Sequence, residues 1–190
     1  MSFVEQITNC LLAGDIPKAH ALSKEYEQSK PADPRRNSPF AINIPADQTI
    51  KSLQFVFKAN PKKLSGLGDE GMKKLQLSVA LQRLGFSGAD LDYPLNDFAG
   101  LPPLKNQRLR ILLSVNAKHL EDSEALKRMG IAKVQSFSSG VCCENCAKLA
   151  DRQFNIEDAP EIPNPDCLEL KNGTVCHGVL YKPVINFDDE

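Results

Sequence analysis

The sequence predicts an α+β chain, with a helical N-terminal and middle region followed by a small C-terminal β-hairpin zinc-binding module. Three observations predict it. Apolar residues recur at helical spacing through much of residues 3–129, five of the six cysteines lie between Cys142 and Cys176, and Asn172-Gly173 separates two short segments of strand character. The organisation read from this is a mainly helical domain over 1–130 and a zinc-binding module over 131–190.

Residues 3–12 place Phe3, Val4, Ile7, Leu11 and Leu12 on one apolar stripe. Gly14 ends that helix and Asp15 caps the next, in which Ile16, Ala19, Leu22 and Tyr26 continue the period. A helical hairpin over 3–28 results. It has the form of one tetratricopeptide unit, but an array needs about three and no second copy occurs, so the hairpin is expected to pack as structure. Pro31, Pro34, Pro39 and Pro45 then mark a Pro-rich linker over 31–47. Arg35-Arg36 within it reads as a solvated pair, since two adjacent charges make no patch.

Residues 50–58 read as a strand or a short helix, ended by Asn60-Pro61. Asp69 is expected to cap a helix over 69–84, with Met72, Leu75, Val79 and Leu81 or Leu84 inward and Gly85 as its stop. Gly66, Gly68 and Gly71 carry no lysine and serine or threonine in phosphate-loop spacing, so they are not read as a nucleotide site. Another helix is expected over 104–120, its buried face marked by Leu104, Ile111, Leu112, Val115 and Leu120. His119 falls at the end of that segment, where an imidazole commonly meets exposed carbonyls. Asp122 or Ser123 then caps a short helix over 123–129, stopped by Gly130, and residues 131–137 read as extended.

Cys143 and Cys146 form C-x-x-C, a spacing that turns two thiolates toward one tetrahedral ion. The second pair, Cys167 and Cys176, is eight residues apart. Asn172-Gly173 reconciles that gap with zinc, because a type I′ turn pairs 168–171 with 174–181 and sets Glu169 opposite Cys176. Alternate strand residues share a face, so Cys167 lies on the face of Cys176 while His177 points to the other. The expected ligands of Zn2+ are therefore Cys143, Cys146, Cys167 and Cys176. Cys142 can replace Cys143 through a C-x3-C spacing, and His177 is the alternative to Cys176. Cys10, on the stripe of the first helix, is expected in the core.

Four thiolates leave no open coordination position, which favours a structural over a catalytic ion. No H-x-E or H-E-x-x-H arrangement supplies a general base, and no catalytic residue is nominated. A redox dithiol at Cys143 and Cys146 is the competing chemistry, as are reduced cysteines without metal. The chain has neither an apolar run of membrane-spanning length nor a signal-type N-terminus, so a cytoplasmic protein without a membrane partner is expected.

The segment Cys143-Glu144-Asn145-Cys146, with Phe154, Ile156, Pro160, Ile162-Pro163, Pro165-Asp166-Cys167 and Cys176 through Tyr181, resembles the cysteine-rich tail of phage head-morphogenesis (minor capsid) proteins. The resemblance covers about a quarter of the chain. Those tails have a C-x-x-C, a short extended element, a proline-rich turn, a cysteine or histidine and a final C-x-C with a hydrophobic strand; this chain departs from that pattern where His177-Gly178 stands in place of the second half of the final pair and where Asp166 precedes Cys167. Zinc knuckles also invite comparison with HNH-type nucleases, but the acidic-histidine pair of those enzymes does not occur here.

Charge separates the partner classes. Residues 31–134 carry a net +6, whereas 135–190 hold ten Asp+Glu against four Lys+Arg. An acidic module repels phosphates, and four thiolates on a divalent ion deepen the mismatch. The leading expectation is a non-enzymatic, zinc-stabilised protein–protein interaction or assembly module whose partner is another protein. A nucleic-acid-acting protein that contacts phosphate through 31–134 is the alternative, and a thiol redox protein the third.

Overall fold

The structure, a computed structural model, describes residues 1–30, 44–86, 88, 91, 103–138, 143–167 and 179–185. Helix α1 (Phe3–Leu12) opens with a reciprocal cap, in which Ser2 Oγ accepts the Glu5 N–H and the Glu5 carboxylate accepts that of Ser2. Its partner α2 (Ile16–Ser29) is capped by Asp15, whose carboxylate accepts the Lys18 N–H at 3.2 Å. Tyr26 stacks on Phe86 at 5.2 Å between ring centroids and meets Phe3 tilted at 5.3 Å, which fixes this hairpin against the end of the fourth helix.

Helix α3 (Ala46–Lys58) is followed by a 3-10 turn over Lys62–Leu67 and by α4 (Gly68–Arg83). The segment read as strand or helix is thus helix, and helical structure begins inside the expected linker, just after Pro45. Residues 31–43, with Arg35-Arg36, lie outside the described residues. Nor does Asp69 cap α4. The 3-10 turn runs directly into that helix, leaving Asp69 in its first turn where its charge still meets the positive end of the dipole. Met72, Leu75, Val79 and Leu81 are buried as expected, and Leu77 and Ala80 with them, so α4 is the central rod of the core.

Helix α5 spans Pro103–Arg128 without a break, which corrects the expected division into 104–120 and 123–129. Nothing between Leu104 and Arg128 is glycine or proline, and the residues read as a cap serve otherwise: Asp122 accepts a 2.7 Å bond from Lys118 one turn earlier. His119 therefore sits inside a long helix rather than among terminal carbonyls. Leu112, Leu113, Asn116 and Ala117 face the core, while Ile111, Val115 and Leu120 are half-buried. Gly130, at φ +76°, ends α5 in a left-handed turn whose amides bond back to Lys127 and Leu126, as Gly85, at φ +89°, ends α4.

Among the described residues three antiparallel strands follow in the order β2-β1-β3: β1 (Lys133–Ser138), β2 (Gln153–Asn155) and β3 (Val179–Pro183), with a short helix α6 (Glu144–Ala147) between the first two. In β1 the registers Val134↔Phe154 and Ser136↔Tyr181 put these four residues on one face, which is the buried one. Helices α3, α4 and α5 pack together, with α1 and α2 against α3 and α4. One continuous core joins them to Cys146, Ile162, Cys167 and Val179. The helix-rich chain with a small antiparallel sheet is the α+β class expected. No helix among the described residues is long and apolar enough to cross a membrane.

Burial holds the imidazoles of His20 and His119 below the ordinary value, with Lys24 adding to the effect at His20 and Asp122 opposing it at His119. As pH falls, the unfolded chain therefore takes up protons first. Stability should be level from about pH 7.5 to about pH 9 and decline from near the ordinary value of about 6.5 toward pH 5. Urea midpoints across this range check it, and His20→Leu should flatten part of the decline.

Candidate metal centre

One helical turn builds half of the site. Cys143 is the extended residue that caps α6, and its carbonyl accepts the Ala147 N–H at 2.9 Å, so Cys146 comes round beside it. The turn is anchored to the sheet through Ser136, a fully buried serine of β1. Its hydroxyl donates to the Leu149 carbonyl, lies 3.1 Å from the Arg152 carbonyl and accepts the Arg152 N–H at 3.2 Å, which fixes where the chain leaves α6.

The third cysteine arrives on a loop. Asn164 shapes it: its carbonyl accepts the Cys167 N–H at 3.0 Å and its side-chain oxygen the Asp166 N–H at 3.0 Å. Its Nδ2 reaches Cys146 Sγ at 3.8 Å, and Asn145 Nδ2 donates to the Asp166 carbonyl at 2.9 Å. The loop is held to the helical body from three sides. Asn116, buried on α5, donates to the Ile162 carbonyl at 2.8 Å, the Lys62 N–H donates to Glu161 at 2.9 Å, and Lys63 Nζ to the Pro165 carbonyl at 3.2 Å. From β3, the Tyr181 hydroxyl donates to the Pro160 carbonyl at 2.9 Å; burial pushes its pKa up to about 12, so it remains a donor at any physiological pH.

The outcome is a cluster in which the sulfurs of Cys143, Cys146 and Cys167 all lie within 4.8 Å of one another. Cys143 Sγ and Cys167 Sγ are 3.7 Å apart. Four sulfurs at about 2.3 Å from a tetrahedral zinc ion lie about 3.8 Å from one another, so this spacing suits metal ligation. Cys146 and Cys167 are buried and Cys143 half-buried. Thiols in this setting ionise readily only if a cation compensates them, because three thiolates at this distance repel and are poorly hydrated. The chemistry on offer is thus soft-metal binding or, without metal, thiol oxidation.

Three of the four expected ligands are therefore brought together. Cys176 lies outside the described residues, as do its alternative His177, the alternative Cys142 and the 168–171/174–178 part of the expected hairpin. Strand β3 overlaps the end of that hairpin and pairs with β1. Cys10 is not part of the cluster and packs half-buried against the core. Sequence reasoning missed Asn116, Ser136, Asn145 and Asn164. Asn164-Pro165-Asp166 does carry a turn signal, whereas Asn116 looks like any polar residue on a helix. Glu144, the acidic residue between the first two ligands, pairs with Lys148 at 3.1 Å on the exposed side of α6.

Comparisons of the chain with protein-family models, with curated proteins and with solved structures give no match.

Two substitutions separate the roles around the cluster. For zinc added to the protein, Cys167→Ser, which removes one of the three clustered sulfurs, should weaken binding by more than about a hundredfold, whereas Asn164→Ala, which leaves them, should cost about ten- to a hundredfold, as supporting partners of metal ligands do. Competition titrations with a chromogenic chelator measure both. Asn116→Ala orphans the Ile162 carbonyl and should destabilise the fold by about 1–3 kcal/mol in urea titrations, with metal content retained under native conditions.

Proposed function

We propose that the chain is a non-enzymatic, zinc-stabilised protein–protein interaction or assembly module, in which Cys143, Cys146, Cys167 and Cys176 hold one structural ion. The convergence of three sulfurs at the join between the helical body and the C-terminal segment carries this reading. A Zn2+ ion there links α6 to the 160–167 loop and so locks the sheet to α5. Four thiolates would complete the shell, leaving no position for a substrate or an activated water. The role is mechanical: the metal would add a covalent-strength link between segments already joined by the shared core and by hydrogen bonds. An assembly role is also what the resemblance of residues 143–181 to phage head-morphogenesis tails implies.

Binding of nucleic acid through the middle region is the less favoured reading. In that region Lys58, Lys74, Lys118 and Lys127 each lie within 4 Å of a carboxylate, those of Glu124, Glu70, Asp122 and Glu157. A duplex would have to displace these local partners, which reduces the gain from neutralising phosphate.

Metal analysis of protein purified under reducing, chelator-free conditions should find about one zinc per chain, and cobalt substitution should give the thiolate charge-transfer bands of a tetrahedral sulfur site. Metal-free protein whose cysteines oxidise and reduce reversibly would replace this proposal with the redox reading. Proximity labelling in native cells, with wild type against a Cys143→Ser/Cys146→Ser pair, then addresses the partner. Protein neighbours lost in the double variant support an interaction module; nucleic acid cross-linked to wild type in their place overturns it.

A further inference from the structure

Between α5 and the sheet lies a cavity of about 520 Å³, within the range of about 300–1,000 Å³ that small-molecule sites occupy. Its walls are mostly apolar, from Ile111, Val115 and Leu126 on α5 and from Val134, Phe137 and Leu180 on the strands. On α5 the spacing Ile111, Val115, His119, Ser123 repeats every four residues, so one stripe of the helix looks into the space. His119 is half-buried on that stripe. Its ring meets Tyr181 at 5.5 Å between centroids, and neither ring nitrogen makes a hydrogen bond among the described residues.

The charges beside it are already balanced. Lys118 Nζ lies 2.7 Å from Asp122 and 3.9 Å from Glu121, so among the described lining residues no cation is left unpaired for a carboxylate or phosphate and no anion for an amine. The Tyr181 hydroxyl is committed to Pro160. What remains is a largely apolar space whose uncharged polar lining is Gln82, Ser114, Ser123 and His119; the imidazole, kept neutral by burial, can donate from one nitrogen and accept at the other.

We propose that this cavity is a binding site for a small uncharged molecule with an apolar, ring-sized body and a single hydroxyl or comparable hydrogen-bonding group, which His119 engages. The site is built by α5 and the sheet and does not involve the cysteine ligands, so it is a function additional to the structural ion. Burial of the ligand body supplies the affinity, and the imidazole supplies orientation. A charged analogue of the same shape is excluded because it would lose its hydration without gaining a partner.

The probes are phenol, benzyl alcohol and 2-naphthol, each set against its carboxylate counterpart benzoate, phenylacetate or 2-naphthoate, on the full metal-loaded chain at pH 7.5. The chain has three histidines and three tyrosines, so ring resonances of His119 and Tyr181 are assignable by substitution. At least one of the hydroxyl probes should shift both resonances saturably, with its carboxylate counterpart at least tenfold weaker. His119→Phe keeps a ring but loses the hydrogen bond and should weaken the alcohol about three- to tenfold. Val115→Trp fills the space and should abolish binding; Leu180→Trp, at a side chain 44% exposed, is the filling variant that spares the core. Saturable shifts with none of the three alcohols, equal binding of the carboxylates, or binding that survives Leu180→Trp in a folded protein would each overturn the assignment. Metal content, measured on the same samples, keeps a failure here distinct from a failure of the zinc proposal.

Discussion

Three sulfur atoms within 4.8 Å of one another are the constraint around which the C-terminal half is arranged. Such a group is costly without a partner, since thiolates at that spacing repel and buried thiols bring little packing gain beyond their size. The surrounding hydrogen bonds all act to keep the sulfurs together. Asn145 and Asn164 join α6 to the 164–167 turn, Ser136 fixes the exit of α6 to the sheet, and Tyr181 fixes the entrance of the loop. Polar side chains committed in this way to backbone carbonyls fix the geometry that the proposed metal site would use.

Helix α5 is the other organising element. On one side Leu112, Leu113 and Ala117 complete the helical core; Asn116, on the same buried side, reaches out to the Ile162 carbonyl and so registers the cysteine loop against the helices. On another side Ile111, Val115 and His119 border the cavity shared with the sheet. One continuous helix can serve both because its faces keep a constant angular relation over 26 residues. A break near Asp122 would have uncoupled the wall of the cavity from the anchor of the loop.

Local pattern carried the expected helices well where each has its own stripe and stop. The first two helices with the Asp15 cap, the buried side of α4 and the glycine stops at Gly85 and Gly130 follow from residues within a turn or two of each other. It misled where one residue type has two uses. Asp122 and Ser123 are good caps, yet within a helix the first pairs with Lys118 and the second borders a cavity, and packing of α5 on α3 and α4 decides between these states. Asp69 failed as a cap because the preceding 3-10 turn already continues into α4.

From the sequence alone came the class of fold, the acidic character of the tail and the C-x-x-C at Cys143 and Cys146, with Cys167 and Cys176 as its expected partners, because spacing and residue chemistry are local properties. Tertiary structure alone decided that a turn built on Asn164 brings Cys167 to the C-x-x-C, that Asn116 from a helix nearly fifty residues away holds that turn, and that His119 faces a cavity rather than a helix end. These are relations between elements distant along the chain. They arise only when burial of a shared core fixes which faces meet, and no local signal of spacing or propensity encodes that choice.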